Sequence, residues 1–217
     1  MAGEREATDL TPCARCGLLL HHLIDFVRVT EVIKASDIEH LRRKSDDFSE
    51  TEELKAFLAR LGRERSSLFL TATELDRILR WKLRGQYKRQ FKLRGKNTDK
   101  IIQFITGLAL TISHQDKEYE LEMRIGILCA IRGVAVPVAS AILALVYPNE
   151  YGVIDFRGWR QVFSEKRTSF SISDYKRYLQ ELRRLSHELG WPVQEVDLAI
   201  WECDRIRAKK KRRGNPV

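Results

Sequence analysis

A chain of 217 residues with 43% hydrophobic content can enclose a real core, as one large domain or two small lobes. No apolar run approaches the roughly 20 residues that cross a bilayer, residues 1–12 lack the apolar stretch of a secretory signal, and four cysteines are too few to staple a chain this long. These features exclude membrane-spanning and disulfide-framework classes and predict an intracellular protein with reduced thiols, in cytoplasm, nucleoid or nucleus. The net charge of +9 is segregated: nine cations and no acid lie between Arg77 and Lys96, and seven more, again without an acid, between Arg205 and Arg213. Two basic segments on an acidic remainder favour a polyanionic partner.

Residues 1–16 read as a flexible leader. Cys13 and Cys16 followed by His21 and His22 resemble part of a zinc-ligand set, but a second pair at finger spacing is missing; read as ordinary thiols and imidazoles, they imply no metal. Leu19, Leu23, Phe26 and Val27 give a first broad helical face. A capping box of Ser49 with Glu52 opens a second helix that stops near Gly62. Another, Thr71 with Glu74, opens a helix with Leu75, Ile78 and Leu79 inward, and one more step along that stripe reaches Lys82. Lys82 has two readings: its stem lies along the core while its ammonium reaches water, or it points into a cleft as a phosphate contact or amine. Trp81, Tyr87 and Phe91 alternate with Arg84, Lys88 and Arg89, as on a surface that stacks bases and tracks phosphates; the alternative is a solvated helix with an aromatic seam.

Asn97 is the expected N-cap of a helix with the stripe Ile101, Ile102, Ile105, Leu108 and Ile112. After a polar break, a helix with Leu121, Ile125, Leu128 and Cys129 on one side leads to a turn at Gly133, Val134 and Ala135. Pro137, suited to a first helical turn, then opens a helix to Val146 that is apolar almost all round and so expected at the centre of the fold. A helix N-terminus after a glycine turn presents free N–H groups and a partial positive charge, which suit a phosphate. Asp155 follows, either as N-cap of a helix from Phe156 or as a functional carboxylate, two roles that are compatible. Arg157 and Arg160 behind it read as phosphate contacts or surface ion pairs. Ser171 or Ser173 caps a helix apolar at Tyr175, Tyr178, Leu179, Leu182, Leu185 and Leu189 that ends at Gly190 with Pro192. A last helix from Val193, inward at Val196, Ala199, Ile200 and Cys203, runs into a basic tail, read as a disordered end binding polyanions nonspecifically or as an RNA or nucleoprotein contact. No strand alternation and no repeat are visible, so the fold is predicted to be all-α.

The segment IRGVAVPVASAIL, with Ile154-Asp155-Phe156-Arg157 some twenty residues on, resembles the helix-hairpin-helix of the HhH-GPD DNA glycosylase superfamily. Gly133 matches the first hairpin glycine, Val134 the apolar residue, Ala139 the helix alanine and Asp155 the aspartate. The likeness extends over roughly residues 71–205; its specific part is Ile131 to Arg160. Ala135 replaces the second hairpin glycine, which costs about 1 kcal/mol if that position requires φ > 0. Pro137 stands where bifunctional members carry a Schiff-base lysine, and the four-cysteine cluster of some members is absent.

The resemblance implies an all-α glycosylase-like fold with its hairpin near residues 119–147. It divides the chain into a leader (1–16), a domain of two helical lobes around a cleft (17–204) and a basic tail (205–217). It further implies a DNA N-glycosylase, monofunctional given Pro137, with lyase chemistry through Lys82 as the lesser option. Such an enzyme takes double-stranded DNA containing a damaged or modified base, in base excision repair, with no cofactor, no membrane and no protein partner inferred. Asp155 would stabilise oxocarbenium-like charge and activate water. Gly133, Val134, Ala135, Arg157, Arg160, Arg84, Lys88 and Arg89 would hold DNA, and Trp81 and Trp159 would line the base pocket. The alternative from another class is a DNA-binding helix-hairpin-helix module without catalysis.

Overall fold

In chain order, the computed structural model runs α1 (Ala35–Ile38), α2 (Phe48–Glu64), α3 (Ala72–Leu83), α4 (Phe91–Arg94), α5 (Asp99–Thr111), α6 (Lys117–Cys129), α7 (Val136–Val146), α8 (Phe156–Phe163), α9 (Ile172–Leu189) and α10 (Val193–Arg213). Short 3-10 turns at Glu39–Leu41 and Arg84–Gln90 join α1 to α2 and α3 to α4. The structure describes residues 33–213, and within them there is no strand, so the all-α expectation holds. The leader, the Cys13, Cys16, His21 and His22 set, the first apolar helical face as far as residue 32, and residues 214–217 lie outside the described residues.

The centre of the fold is α7. Every residue from Val138 to Leu145 is buried, because the helix is apolar on all sides and its small residues Ala139, Ser140, Ala141 and Ala144 let neighbours approach. α2, α3, α6 and α10 pack around it, and α10 also covers α8 along most of its length. One continuous hydrophobic core runs through these helices.

Cap chemistry explains most boundaries. Thr71 and Glu74 form the expected reciprocal box at α3, and Ser171 with Asp174 forms another at α9, settling that end on Ser171 rather than Ser173. Gly190 ends α9 in the left-handed conformation at φ 65°, where glycine carries no Cβ penalty. Three expectations need correction. The Ser49–Glu52 box is not formed, since α2 begins at Phe48 after Asp47; its end at Glu64 lies near Gly62, as expected. Thr98, not Asn97, caps α5, its hydroxyl accepting the Ile101 N–H.

The third correction is the rotation of α5, which buries Ile102, Thr106, Ala109 and Leu110 and leaves Ile101, Phe104 and Leu108 outside. Thr106 tolerates burial because its hydroxyl donates to the Ile102 carbonyl and accepts the Leu70 N–H; its compact side chain lets α5 seat closely. The basic tail also differs from a disordered end. Residues 205–213 continue α10 without a break, as expected where alanine, arginine and lysine combine high helix propensity with cations at the C-terminus.

Candidate active site

The hairpin is built from α6, the turn after it and α7. Gly133 takes φ +84°, a region open to glycine and strained for other residues. It is needed twice over, because a Cβ there would meet Arg94 Cγ at 2.6 Å. Val134 turns into the core and closes the turn by donating its N–H to the Ile131 carbonyl. Ala135 is the N-cap of α7 at φ −115°, ψ 174°. That is extended backbone, so alanine in place of the second glycine carries no left-handed strain. Among the described residues, the N–H groups of Gly133 and Ala135 donate to no acceptor, leaving them free at the positive end of α7.

Asn97 has a role that its sequence position did not reveal. Its amide donates to the Arg94 and Arg132 carbonyls and its oxygen accepts the Arg132 N–H, at 2.9, 2.9 and 3.0 Å. It therefore staples the hairpin turn to the basic segment. Arg94 lies in the angle between them, stacked on Tyr87 and donating to the Tyr87 carbonyl.

Asp155 is the N-cap of α8, the first of its two expected roles. Its Oδ1 caps α8 by accepting the Arg157 and Gly158 N–H groups, each at 2.9 Å, while its Oδ2 lies 3.9 Å from Lys82 Nζ. The stripe Leu75, Ile78, Leu79 does carry Lys82 inward: its side chain is 11% exposed, and that of Asp155 21%. The pair forms the wall shared by two cavities. The first, of about 480 Å³, is lined by Gly133, Ala135, Pro137, Arg89 and Arg94. The second, of about 390 Å³, is lined by Trp81, Trp201, Gln194 and Asp197. A cavity floored by a glycine turn and arginines suits phosphate; one walled by indoles suits a flat ring.

The strap that delivers Asp155 is tied by side chains from three helices. Tyr175 of α9 donates to the Gly152 carbonyl, Asp197 of α10 accepts the Val153 N–H, and Ser140 of α7 accepts the Ile154 N–H. Asp197, buried, also accepts the Tyr178 hydroxyl at 2.6 Å. Tyr178 reaches it because residue 158 is glycine; a Cβ there would collide with the Tyr178 hydroxyl. Burial, with the charge of Asp155 adding to it, pushes the Asp197 carboxyl up to about 7 despite the Tyr178 hydroxyl, the Val153 N–H and Lys82.

Of the expected pocket aromatics, Trp81 lines the second cavity, and its indole N–H is buried without a partner. Trp159 does not line it. It is fully buried against Phe163 and Phe170, with its N–H donated to Glu165, because α8 turns this face into the core. Trp201 takes its place. A signal for it was present: Gln194, Asp197, Leu198 and Trp201 recur at helical spacing on one face of α10, beside the apolar stripe.

Arg157 and Arg160 both realise the ion-pair alternative on the buried carboxylate of Asp204, Arg160 through two bonds of 3.0 and 2.7 Å. Arg84 is likewise engaged, with Asp47 at 2.9 Å and Glu50 at 3.3 Å. Lys88 and Arg89 are exposed on the turn after α3; Arg89 borders the hairpin-side cavity, while Lys88 lines neither cavity. Within the described residues no helix is long and apolar enough to cross a membrane. No known family model, no curated protein and no solved structure matches this chain.

Proposed function

We propose that the protein is a DNA glycosylase that hydrolyses the N-glycosidic bond of a damaged or modified base flipped out of a duplex. One observation carries the reading: the Lys82–Asp155 pair stands between a cavity lined by the hairpin and a cavity walled by Trp81 and Trp201. In this reading the hairpin N–H groups and the exposed Lys88 and Arg89 take the backbone phosphates, and the indole-walled cavity takes the flipped base. Cleavage builds positive charge on the deoxyribose, which the Asp155 carboxylate stabilises while it draws a proton from the attacking water. Lys82 keeps that carboxylate oriented on the cavity wall. The intracellular setting of base excision repair belongs to the same proposal.

The test is a panel of duplexes, each with one lesion, incubated with wild type and with Asp155→Asn. Release of a base by wild type and its loss in the variant support the proposal; no release on any lesion removes it. A DNA-binding module without catalysis is the second reading, favoured by Pro137, which closes the usual lysine position. It requires DNA affinity without base release, with affinity unaltered in Asp155→Asn.

A further inference from the structure

Three carboxyl groups line the second cavity; Asp47 is held by Arg84, and the other two, Asp155 and Asp197, have unlike surroundings. Asp155 makes the contacts of an anion, with two N–H groups on one oxygen and an ammonium facing the other. Asp197 lies deeper, 6% exposed, and its nearest partners are a phenol and one backbone N–H. A buried carboxyl pushed up by desolvation, beside a second carboxyl that accepts backbone N–H groups, is an arrangement from which hydrolases draw an acid and a base.

We propose that Asp197 is the acid that protonates the departing base, which makes the substrate a neutral base, one that leaves only on accepting a proton. The inference rests on the glycosylase reading and deepens it. As the C1′–N bond breaks, its electron pair passes to the base, and the Asp197 proton goes to that nitrogen or to a ring atom conjugated with it. The oxygen of one water bonds C1′, and a proton of that water goes to the Asp155 carboxylate. Asp155 returns this proton to solvent and Asp197 takes one up, so the sum is hydrolysis by a single water. A base made cationic by ring alkylation accepts the electron pair without a proton and has no need of Asp197.

The groups facing Asp197 are few. Lys82 comes from α3, Asp155 and the Val153 N–H from the strap, and Tyr178 and Tyr175 from α9. On the cavity rim Asp47 is held by Arg84, and Arg157 by Asp204. No histidine lines the cavity among the described residues. Burial and the charge of Asp155 leave Asp197 protonated to about pH 7, and Tyr178, pushed far up by its own burial, stays a neutral donor.

The experiment measures single-turnover base release by the full chain from pH 5 to 9. Each duplex carries either a neutral oxidised or deaminated base or a cationic N-alkylated purine. Wild-type release of the neutral base should fall as pH rises through about 7. Asp197→Asn should lose about 100-fold or more on it, lose the inflection, and shift its preference toward the cationic base. If Asp197→Asn melts before assay, Tyr178→Phe decides: removing a hydroxyl that favours the ionised carboxyl should move the inflection to higher pH. Release of cationic bases alone, an Asp197→Asn profile equal to wild type, or an inflection unmoved in Tyr178→Phe overturns the inference and leaves the glycosylase reading standing. Failure of wild type on every lesion removes both.

Discussion

Gly133 and Arg94 occupy adjoining space so tightly that no side chain fits between them: a Cβ on Gly133 would sit 2.6 Å from Arg94 Cγ. The Gly133→Ala substitution therefore meets two obstacles, the collision and a left-handed φ that alone costs about 1–2 kcal/mol. Thermal melts should show a destabilisation of at least that size, with DNA affinity reduced as the turn reshapes. Adding Arg94→Ala should recover the collision but not the dihedral cost. Full recovery in the double variant would show that the positive φ contributes nothing.

Asn97→Ala removes three hydrogen bonds that join the hairpin turn to the basic segment. The expected loss is about 1–2 kcal/mol in stability, and, on the proposed function, a larger relative loss in DNA affinity because the two elements assigned to phosphate contact are no longer held together. Denaturant melts and a binding titration at fixed salt measure the two effects. Equal affinity in variant and wild type would mean the staple serves the fold alone.

Among the described residues, Lys82 is the one lysine lining the two cavities, and Pro137 offers no amine in its place. Any adduct that borohydride traps between this protein and an abasic duplex should therefore form through Lys82 and vanish in Lys82→Ala. An adduct of undiminished yield in that variant assigns the amine elsewhere.

Glu120 gives the fold an acid-sensitive component. Burial alone would raise its carboxyl, but Lys117, the His114 N–H and Arg124 more than offset this and bring it down to about 2. A carboxyl lowered in the folded state contributes stability that is fully present above its unfolded pKa, near 4.5, and is lost as pH falls through about 2. Melting temperature should drop across that window in wild type, and more weakly in Glu120→Gln, which starts from a lower stability at neutral pH. Parallel curves for the two proteins would remove Glu120 as the source.

Local chemistry made much of this legible. Turn residues and helical periodicity were enough to find the hairpin, the buried α7, the capping Asp155 and the inward Lys82, since each depends on neighbours a few residues away. Features that depend on partners distant in the chain were not readable. Arg157 and Arg160 gave no hint that Asp204, more than forty residues on, would claim both. Whether Trp159 or Trp201 walls the cavity is decided by how α8 seats against α10, and the rotation of α5 by a threonine hydroxyl whose hydrogen-bond partners lie on two segments. Asp197 was not singled out in the sequence, and the hydrogen bond it accepts from the Tyr178 hydroxyl depends on a glycine at position 158.

The strap before Asp155 has a kinetic consequence. The Val153 and Ile154 amides lie outside any helix, yet each is bound by a buried side chain, Asp197 or Ser140, from a different helix. Neither can exchange with deuterated water by fraying of a helix end; both must wait until α7 and α10 part. Their exchange should thus be as slow as that of the α7 core and carry the free energy of global opening. Asp155, the next residue, would then face a cavity from a strap that opens only with the core.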